Sequence, residues 1–577
     1  MFINTFSNFI NTFAKKEKIT FAILTLSSTI AGLLEFAGLA LIYLFVLYLT
    51  DKSALNLNIF INVDEKNITL LIGILIAVIY VLKDLFMIAH IKIQSRFLFK
   101  LAGKIFNDFY LKFISQENED EIKNSDKIKI LNKSIVDACW GFCAKTIMLF
   151  SNIIIAILIL AYLFIKFKFQ AAGIALLVGA IWFVENKYFK KQAKKYGELL
   201  HNSQKIRADY TLKTINSTKE VIIYNKEKLF LKKADEIEKS ALNWERNVLT
   251  NEIMPVYFTE IGIMIALAIF IIYLLSNSTL SGAQLSATLA SYATVILRIT
   301  PVINRTQSCL YSIRAFKFET NWLIETYKKF KNKQTNINEI CFDSDIVFSN
   351  VNFSYPQEKF SLNNINFKIK KGDFIGIVGL SGCGKTTLFN LICGFLKPQS
   401  GEIFIDGNKL DENNLKSWQN KIAILTQDFS LPFSKMEENI AFEPDFDNKS
   451  EINNIIKILD ELELNEEFKN NKNTQDLSLG QKHRIALART LYFDRKIIML
   501  DEATSSLDVV NEENIVQKIE NLKGKKTIIA IAHRLKTLKN CTKIIYMKEG
   551  KIADIGTLEE LEMKFRDFHK LIELSKF

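Results

Sequence analysis

Cysteine is scarce and unpatterned in this chain: seven residues in 577, at positions 139, 143, 309, 341, 383, 393 and 541. An odd, scattered set argues against a disulfide framework. Cys139 and Cys143 share a helix face but lack the second ligand pair that a metal site needs. Free, reduced thiols are the expectation. The opening MFINTFSNFINTFAKKEK has no apolar core followed by a small-residue cleavage site, so no removable signal peptide is expected. The net charge of +12 comes without a basic, aromatic-interleaved domain, which removes the main argument for nucleic acid as a partner. Internal repeats are lacking too, so each part of the chain occurs once.

What the chain does have is unevenly spread apolar sequence. Hydrophobic residues make up 49%, divided between a membrane half and a water-soluble half. Six segments have the length and apolarity of transmembrane helices, approximately 19–50, 67–90, 145–165, 170–186, 254–276 and 283–305. The loops after the second and fourth are long and basic, with Lys92, Arg96, Lys100 and Lys104 in one and Lys190, Lys191, Lys194 and Lys195 in the other. The positive-inside rule puts these loops, the N-terminus and the C-terminal half in the cytoplasm. Lys166 and Lys168 oppose that topology but are outnumbered. Both long loops read as helices that leave the bilayer, turn and return. KKFKNKQTNINE reads as a linker, and from about Ile346 strand and helix patterns alternate as in an α/β nucleotide-binding domain. The expected division is a membrane domain at 1–325, a linker at 326–345 and a nucleotide-binding domain at 346–577.

Chemistry concentrates in the second half. GLSGCGKTT, from Gly379 through Leu380, Ser381, Gly382, Cys383, Gly384, Lys385 and Thr386 to Thr387, follows the strand FIGIVG and opens a helix. In that setting the glycines let backbone N–H groups wrap phosphates, and the helix N-terminus adds its positive dipole end. Lys385 offers a point charge to the β- and γ-phosphates, and Thr386 offers a hydroxyl to Mg²⁺. Asp501 ends the apolar strand IIMLD, where it can hold Mg²⁺ or its waters. Glu502 can act as general base on the attacking water. His533 follows the strand KTIIAIA and can contact the γ-phosphate. Gln427, after KIAILT, can reach Mg²⁺ or the water.

Taken together, GLSGCGKTT, ILTQ, LSLGQ, IIMLDEATSSLD and IAHR resemble an ATP-binding cassette (ABC) transporter, and the six preceding spans resemble an exporter half-transporter. The resemblance covers essentially the whole chain. It implies a helical membrane domain of exporter type followed by an α/β P-loop cassette, with ATP and Mg²⁺ as cofactors. It implies that Tyr355 stacks on adenine, that Ser478, Gly480 and Gln481 close over the γ-phosphate held by a partner subunit, and that Asp508 sits at the dimer seam. A second copy is therefore implied, or a different half-transporter in its place. Two departures stand out. Leu479 replaces the first glycine of the usual LSGGQ, and NNKNTQD before it is shorter than the family's stretch.

Ionisable residues inside spans are costly and default to functional candidates: Glu35, Lys83, Asp84, Glu260 and Arg298, with Arg305 at a span end. The competing reading is mutual pairing. LLEFAGLALIYLFV, VIYVLKDL, MPVYFTEIGI and VILRITPVINR are similar to lipid-linked oligosaccharide flippases of the PglK type. That likeness implies that Lys83, Arg298 and Arg305 meet a pyrophosphate headgroup. Val256 stands where a further arginine is expected. SALNLNIFINV is either a short external amphipathic helix or a plain hairpin cap. The expected protein is a homodimeric, multi-pass ATP-driven exporter or flippase of the bacterial inner membrane, with a polyprenyl-pyrophosphate-linked oligosaccharide as leading substrate. Export of a peptide, a drug or another lipid is an alternative, and a membrane-bound ATPase with a sensing or scaffolding role is another.

Overall fold

The computed structural model describes residues 2–11, 14–50, 65–115, 122–277, 282–330, 338–355, 360–470, 472–501, 516–531 and 538–574; inside several long helices only the backbone is described. The chain divides into two compact units, Met1–Lys333 and Gln334–Phe577.

The first unit is helical. α1 spans Phe2–Asn11, α2 Lys15–Thr50, α3 Glu65–Ser115, α4 Asn124–Lys129, α5 Lys145–Asn216, α6 Thr218–Ile223, α7 Glu227–Asn277 and α8 Gly282–Phe330. Two π-helical turns, Ile130–Ser134 and Asp137–Ala144, join α4 to α5. Helical backbone runs through the range of α5, yet both of its halves meet the same stretch of α7 and α8. Lys145 Nζ donates to Glu252 at 2.7 Å, which also accepts from Ser308, and Gln307 donates to Glu185 at 2.8 Å. A straight helix would hold Lys145 and Glu185 roughly 60 Å apart. The chain therefore reverses between them, and the two spans expected at 145–165 and 170–186 are antiparallel arms within the range of α5.

Four stretches among the described residues are long and apolar enough to cross a membrane: Lys15–Leu34, Gly73–Ile114, Asp137–Ile159 and Glu227–Ala266. They fall on the first, second, third and fifth expected spans. Side chains of most of the fourth and sixth lie outside the described residues, as does SALNLNIFINV. Beyond the apolar stretches, the helices pack as an ordinary protein core. Phe9, Leu101, Phe109, Phe142, Ile313 and Leu323 belong to one buried cluster. Phe189, Ala193, Leu200, Tyr311 and Ala315 belong to another, where α5 and α8 approach so closely that a Cβ on Gly197 would strike the Ala315 carbonyl.

The second unit is built on two sheets. An antiparallel sheet has the order β2-β1-β4-β5, with β1 at Asp345–Ser354, β2 at Ser361–Lys370, β4 at Ser400–Ile405 and β5 at Asn408–Lys409. Phe348 and Phe367 pair across β1 and β2 and stack at 4.4 Å, the cross-strand contact that stabilises such a ladder. The other sheet has the order β10-β9-β3-β8-β7-β6: β3 at Phe374–Gly379, β6 at Ile422–Leu425, β7 at Ile497–Asp501, β8 at Thr527–Ile531, β9 at Lys543–Lys548 and β10 at Lys551–Gly556. Its strands are parallel except β10. Buried on both faces, β3, β7 and β8 are near-continuous runs of Ile, Val, Met and Leu. Helices α9 (Lys385–Cys393), α10 (Leu415–Gln419), α11 (Met436–Ala441), α12 (Lys449–Glu461), α13 (Asn465–Lys469) and α14 (Leu479–Tyr492) surround it. The fully buried Trp418 donates from its indole to the Ile392 carbonyl at 2.8 Å, tying α10 to the end of α9.

Candidate functional site

Strand order decides which candidates meet. In the parallel sheet β3 lies beside β8, β8 beside β7 and β7 beside β6, so all four carboxyl ends open on one edge, where open α/β sheets bind ligands. Gly379 ends β3 and begins the glycine-rich loop. Asp501 ends β7 opposite Ile531 of β8. Leu425 ends β6 opposite Leu500, and Gln427 lies exposed in the turn two residues on. The loop, Asp501 and Gln427 thus share one edge. Glu502, Asp508 and His533 lie outside the described residues, though Glu502 directly follows Asp501 and His533 follows Ile531 by two.

The loop's backbone explains its glycines. Gly382 and Gly384 have φ of +79° and +106°, a region that favours glycine. A side chain on Gly379 would strike the Met547 carbonyl and the Cys383 sulfur. Cys383 faces inward, and its carbonyl accepts from Gly550 N–H at 3.2 Å, which anchors the loop to the β9–β10 turn. Burial pushes its thiol up, away from the thiolate. Lys385 folds back over the loop: Nζ donates to the carbonyls of Gly379 at 2.9 Å and Leu380 at 3.2 Å. Leu380, Ser381, Gly382 and Thr386 are exposed, whereas Thr387 is buried. Thr386, Asp501 and Gln427 offer only hard oxygen donors, with the amide of Gln427 oriented through its carbonyl, and such a set fits Mg²⁺. Tyr355, half-buried just past β1, packs edge-on against Phe353 at 5.0 Å.

Ser478, Gly480 and Gln481 sit on a different core. Ser478 N-caps α14 in a reciprocal capping box with Gln481. The Gln481 amide also donates to Glu467 of α13 at 2.5 Å. Leu479 occupies the first helical position with its side chain 62% exposed. Its φ is not in the left-handed region, so the backbone there does not demand glycine. The shortened segment before it is tied down by Thr474, whose N–H and hydroxyl donate to the carbonyls of Ser434 and Phe433. α14 packs in the cluster of Ile485, Leu487, Ile455 and Leu459, whereas α9 packs with Leu388, Leu391 and Trp418.

Two α14 residues escaped the sequence reading. Arg489 donates to the carbonyls of Asn439 at 2.7 Å and Ser430 at 3.0 Å. Burial pulls its guanidinium down to about 10. Buried His483 meets the edge of Phe429 at 5.3 Å, and burial pulls its imidazole down. Both link α14 to the chain immediately after Gln427. A helical Arg and His carry no spacing signal, so only the tertiary partners disclose them.

In the first unit, the described contacts of Lys83, Arg305 and Glu260 are to different partners. Lys83 pairs with its neighbour Asp84 at 3.0 Å and lies 5.2 Å over the ring of Tyr80. Arg305 Nε donates to the Pro301 carbonyl at 3.3 Å. Glu260 accepts from Asn304 at 3.3 Å. The side chains of Glu35 and Arg298 lie outside the described residues.

Residues 362–505, which hold the loop, β6, α14 and Asp501, match the family model described as ABC transporter. The C-terminal unit is an ABC transporter ATPase domain. Among curated proteins, the ATP-dependent lipid A-core flippase of Desulfotalea psychrophila is 42% identical over 226 residues, 38% of this chain and 39% of the relative. The heterocyst differentiation ATP-binding protein HepA of Nostoc is 34% identical over 286 residues, 48% and 47%. The leukotoxin translocation ATP-binding protein LktB of Mannheimia glucosida is 38% identical over 224 residues, 38% and 32%. The chain spans less than half the length of each. In fold the likeness is broader. A bacterial Atm1-family ABC exporter with ATP bound matches with a TM-score of 0.78 over 97% of this chain and 98% of that one, at 16% identity. The ATPase domain is thus fused to a helical unit within an ABC exporter fold.

Proposed function

We propose that two copies of this chain form an ATP-driven exporter in the bacterial inner membrane, and that its cargo is a polyprenyl-pyrophosphate-linked oligosaccharide. The observation that carries the ATP-driven part is the shared sheet edge of Lys385, Thr386, Asp501 and Gln427 within an ABC exporter fold. Relatives named for flipping lipid A-core and for translocating leukotoxin support outward movement of amphipathic cargo. The lipid-linked cargo is supported by the wording of the spans around Lys83, Arg298 and Arg305.

The residues act in sequence. ATP phosphates compete with the Gly379 and Leu380 carbonyls for the Lys385 ammonium, while loop N–H groups and the α9 N-terminus hold the phosphate oxygens. Tyr355 stacks on the adenine. Thr386, Asp501 and Gln427 would hold Mg²⁺, which would neutralise charge on the phosphates. Glu502 takes the proton from the attacking water, and His533 steadies the γ-phosphate. Ser478, Gly480 and Gln481 of the second copy close the site, with Asp508 at the seam.

The test is ATP-dependent transfer of labelled lipid-linked oligosaccharide across vesicles holding the full-length protein. Transfer that disappears in Glu502→Gln supports the reading. ATP turnover without transfer favours a peptide, drug or other lipid cargo, or a sensing or scaffolding role when no substrate moves.

A further inference from the structure

Directly past the fourth expected span, α5 carries Lys187, Lys190, Lys191, Lys194 and Lys195, all exposed. Elsewhere on the same helix lysines have acidic partners: Lys205 meets Asp126 at 2.8 Å and Lys213 meets Asp209 at 2.7 Å. Among the described residues, none of the five forms an ion pair. Glu185 is turned to Thr259 and Gln307, and Glu198 pairs with neither Lys194 nor Lys195. Lys317 of α8 stands close enough to Lys194 to be disfavoured by its charge, in addition to its own burial. Like charges four residues apart on a helix repel, so this concentration costs stability unless an anion offsets it.

The stripe also has a shape. Lys187, Lys191 and Lys195 line a cavity of about 620 Å³ together with Phe183, Tyr188 and Tyr196. Phe183 and Tyr188 are 65% and 61% exposed. The opposite face of α5 is fixed by Phe189, Ala193 and Leu200 against α7 and α8. The cavity is an open one: its lining residues all project from one side of α5, with the lysines lying between the aromatic side chains, just past the fourth expected span.

We infer that this cavity binds the phosphate of an anionic membrane lipid in the cytoplasmic leaflet, with the lysines on the phosphate and the aromatic rings on the glycerol and upper acyl chains. Charge complementarity fixes the headgroup class, and the adjoining apolar side chains favour a lipid over phosphate from solution. The site is separate from the Lys83, Arg298 and Arg305 candidates. It rests on the membrane reading of the first unit and not on the cargo.

The experiment titrates full-length protein in nonionic detergent with short-chain phosphatidylglycerol, short-chain phosphatidylcholine and inorganic phosphate, following intrinsic fluorescence. Phosphatidylglycerol is expected to bind best, and the combined Lys187→Gln, Lys191→Gln, Lys195→Gln variant to bind it about a hundredfold more weakly, from about fivefold per lysine. Basal ATPase in detergent should persist in that variant. Should the triple variant misfold, Lys191→Gln alone should weaken binding about fivefold. Unchanged affinity in the folded variant overturns the site. Equal binding of inorganic phosphate overturns the lipid as occupant. Dissociation of an otherwise folded dimer in the triple variant also overturns it, since the stripe would then belong to a contact between copies. Intact lipid binding alongside failed oligosaccharide transfer would reject the cargo and leave this site standing.

Discussion

Glu319 of α8 and Lys129 of α4, 190 residues apart, form an ion pair at 3.1 Å with side chains only 5% and 3% exposed. Ser134 donates to the same carboxylate and His201 Nδ1 lies against it, so one group fastens α4, α5 and α8. Burial by itself would raise the Glu319 carboxyl, but the His201 hydrogen bond and the Lys129 charge outweigh it and hold the group at about 2. Lys129 is asymmetric with it, because burial lowers its ammonium more than Glu319 raises it.

The sign for Glu319 follows from its depressed value. Its stabilisation is fully present above the ordinary carboxylate value of about 4.5 and is lost as pH falls towards about 2. Roughly 3 kcal/mol is at stake on the carboxylate side, offset in part by the desolvated lysine. Glu319→Gln should therefore destabilise the helical unit by about 3 kcal/mol, since it leaves a buried cation unpaired. Adding Lys129→Met should recover part of that loss. Thermal unfolding in detergent between pH 3 and pH 7 checks both, and a single variant as stable as wild type would show that the pair holds nothing.

Lys385→Ala is expected to reduce ATP turnover by at least about a hundredfold, because one fixed cation at the phosphates is removed. The nucleotide-free protein should lose about 3 kcal/mol, the lower-end worth of the two charge-assisted hydrogen bonds to Gly379 and Leu380. ATPase rate and nucleotide-free melting, measured side by side, separate these effects. Wild-type turnover in Lys385→Ala would remove the phosphate role.

Much of this was legible in the sequence because the phosphate loop is local. A strand, a run of glycines and a helix start are contiguous, and the apolar runs of β7 and β8 announce strands whose carboxyl ends are occupied by acidic and basic residues. Span positions are equally local, being set by length and apolarity. The Glu319–Lys129 pair was not legible, since nothing in either neighbourhood names a partner so far along the chain. The same holds for Arg489, which reads as an ordinary helical arginine until its carbonyl partners are known. Lys83 shows the reverse case, where the contact is with Asp84, next to it in sequence.

Ser478 tests whether the site is shared between copies. Ser478→Ala removes a helix cap worth about 1 kcal/mol, and on the shared-site reading it also abolishes ATP closure. Homodimers of Ser478→Ala and of Lys385→Ala should both be inactive. Co-expressed, half the dimers are mixed, and each mixed dimer has one intact site, so roughly a quarter of wild-type turnover should return if the two sites work independently. No recovery in a preparation shown to contain mixed dimers would place Ser478 and Lys385 in one chain's site.

The cargo reading stands or falls with α8. Arg298 and Arg305 are seven residues apart and so share a helix face, and two such faces in a symmetric dimer would double the cationic charge presented to a pyrophosphate. Lys83 is already paired with Asp84, so that reading rests mainly on the two arginines. Arg298→Ala combined with Arg305→Ala should leave basal ATPase near wild type, since neither residue lies in the ATPase domain. It should reduce lipid-linked oligosaccharide transfer at least about tenfold, the loss of one charge-assisted contact of about 1.5 kcal/mol or more. Lys83→Ala alone should have a smaller effect, because the Lys83 ammonium is already engaged by Asp84 at 3.0 Å. Transfer assays in vesicles of matched protein content decide between these outcomes. Unchanged transfer in the arginine double variant would end the headgroup reading while leaving the chemistry at Lys385 and Asp501 untouched.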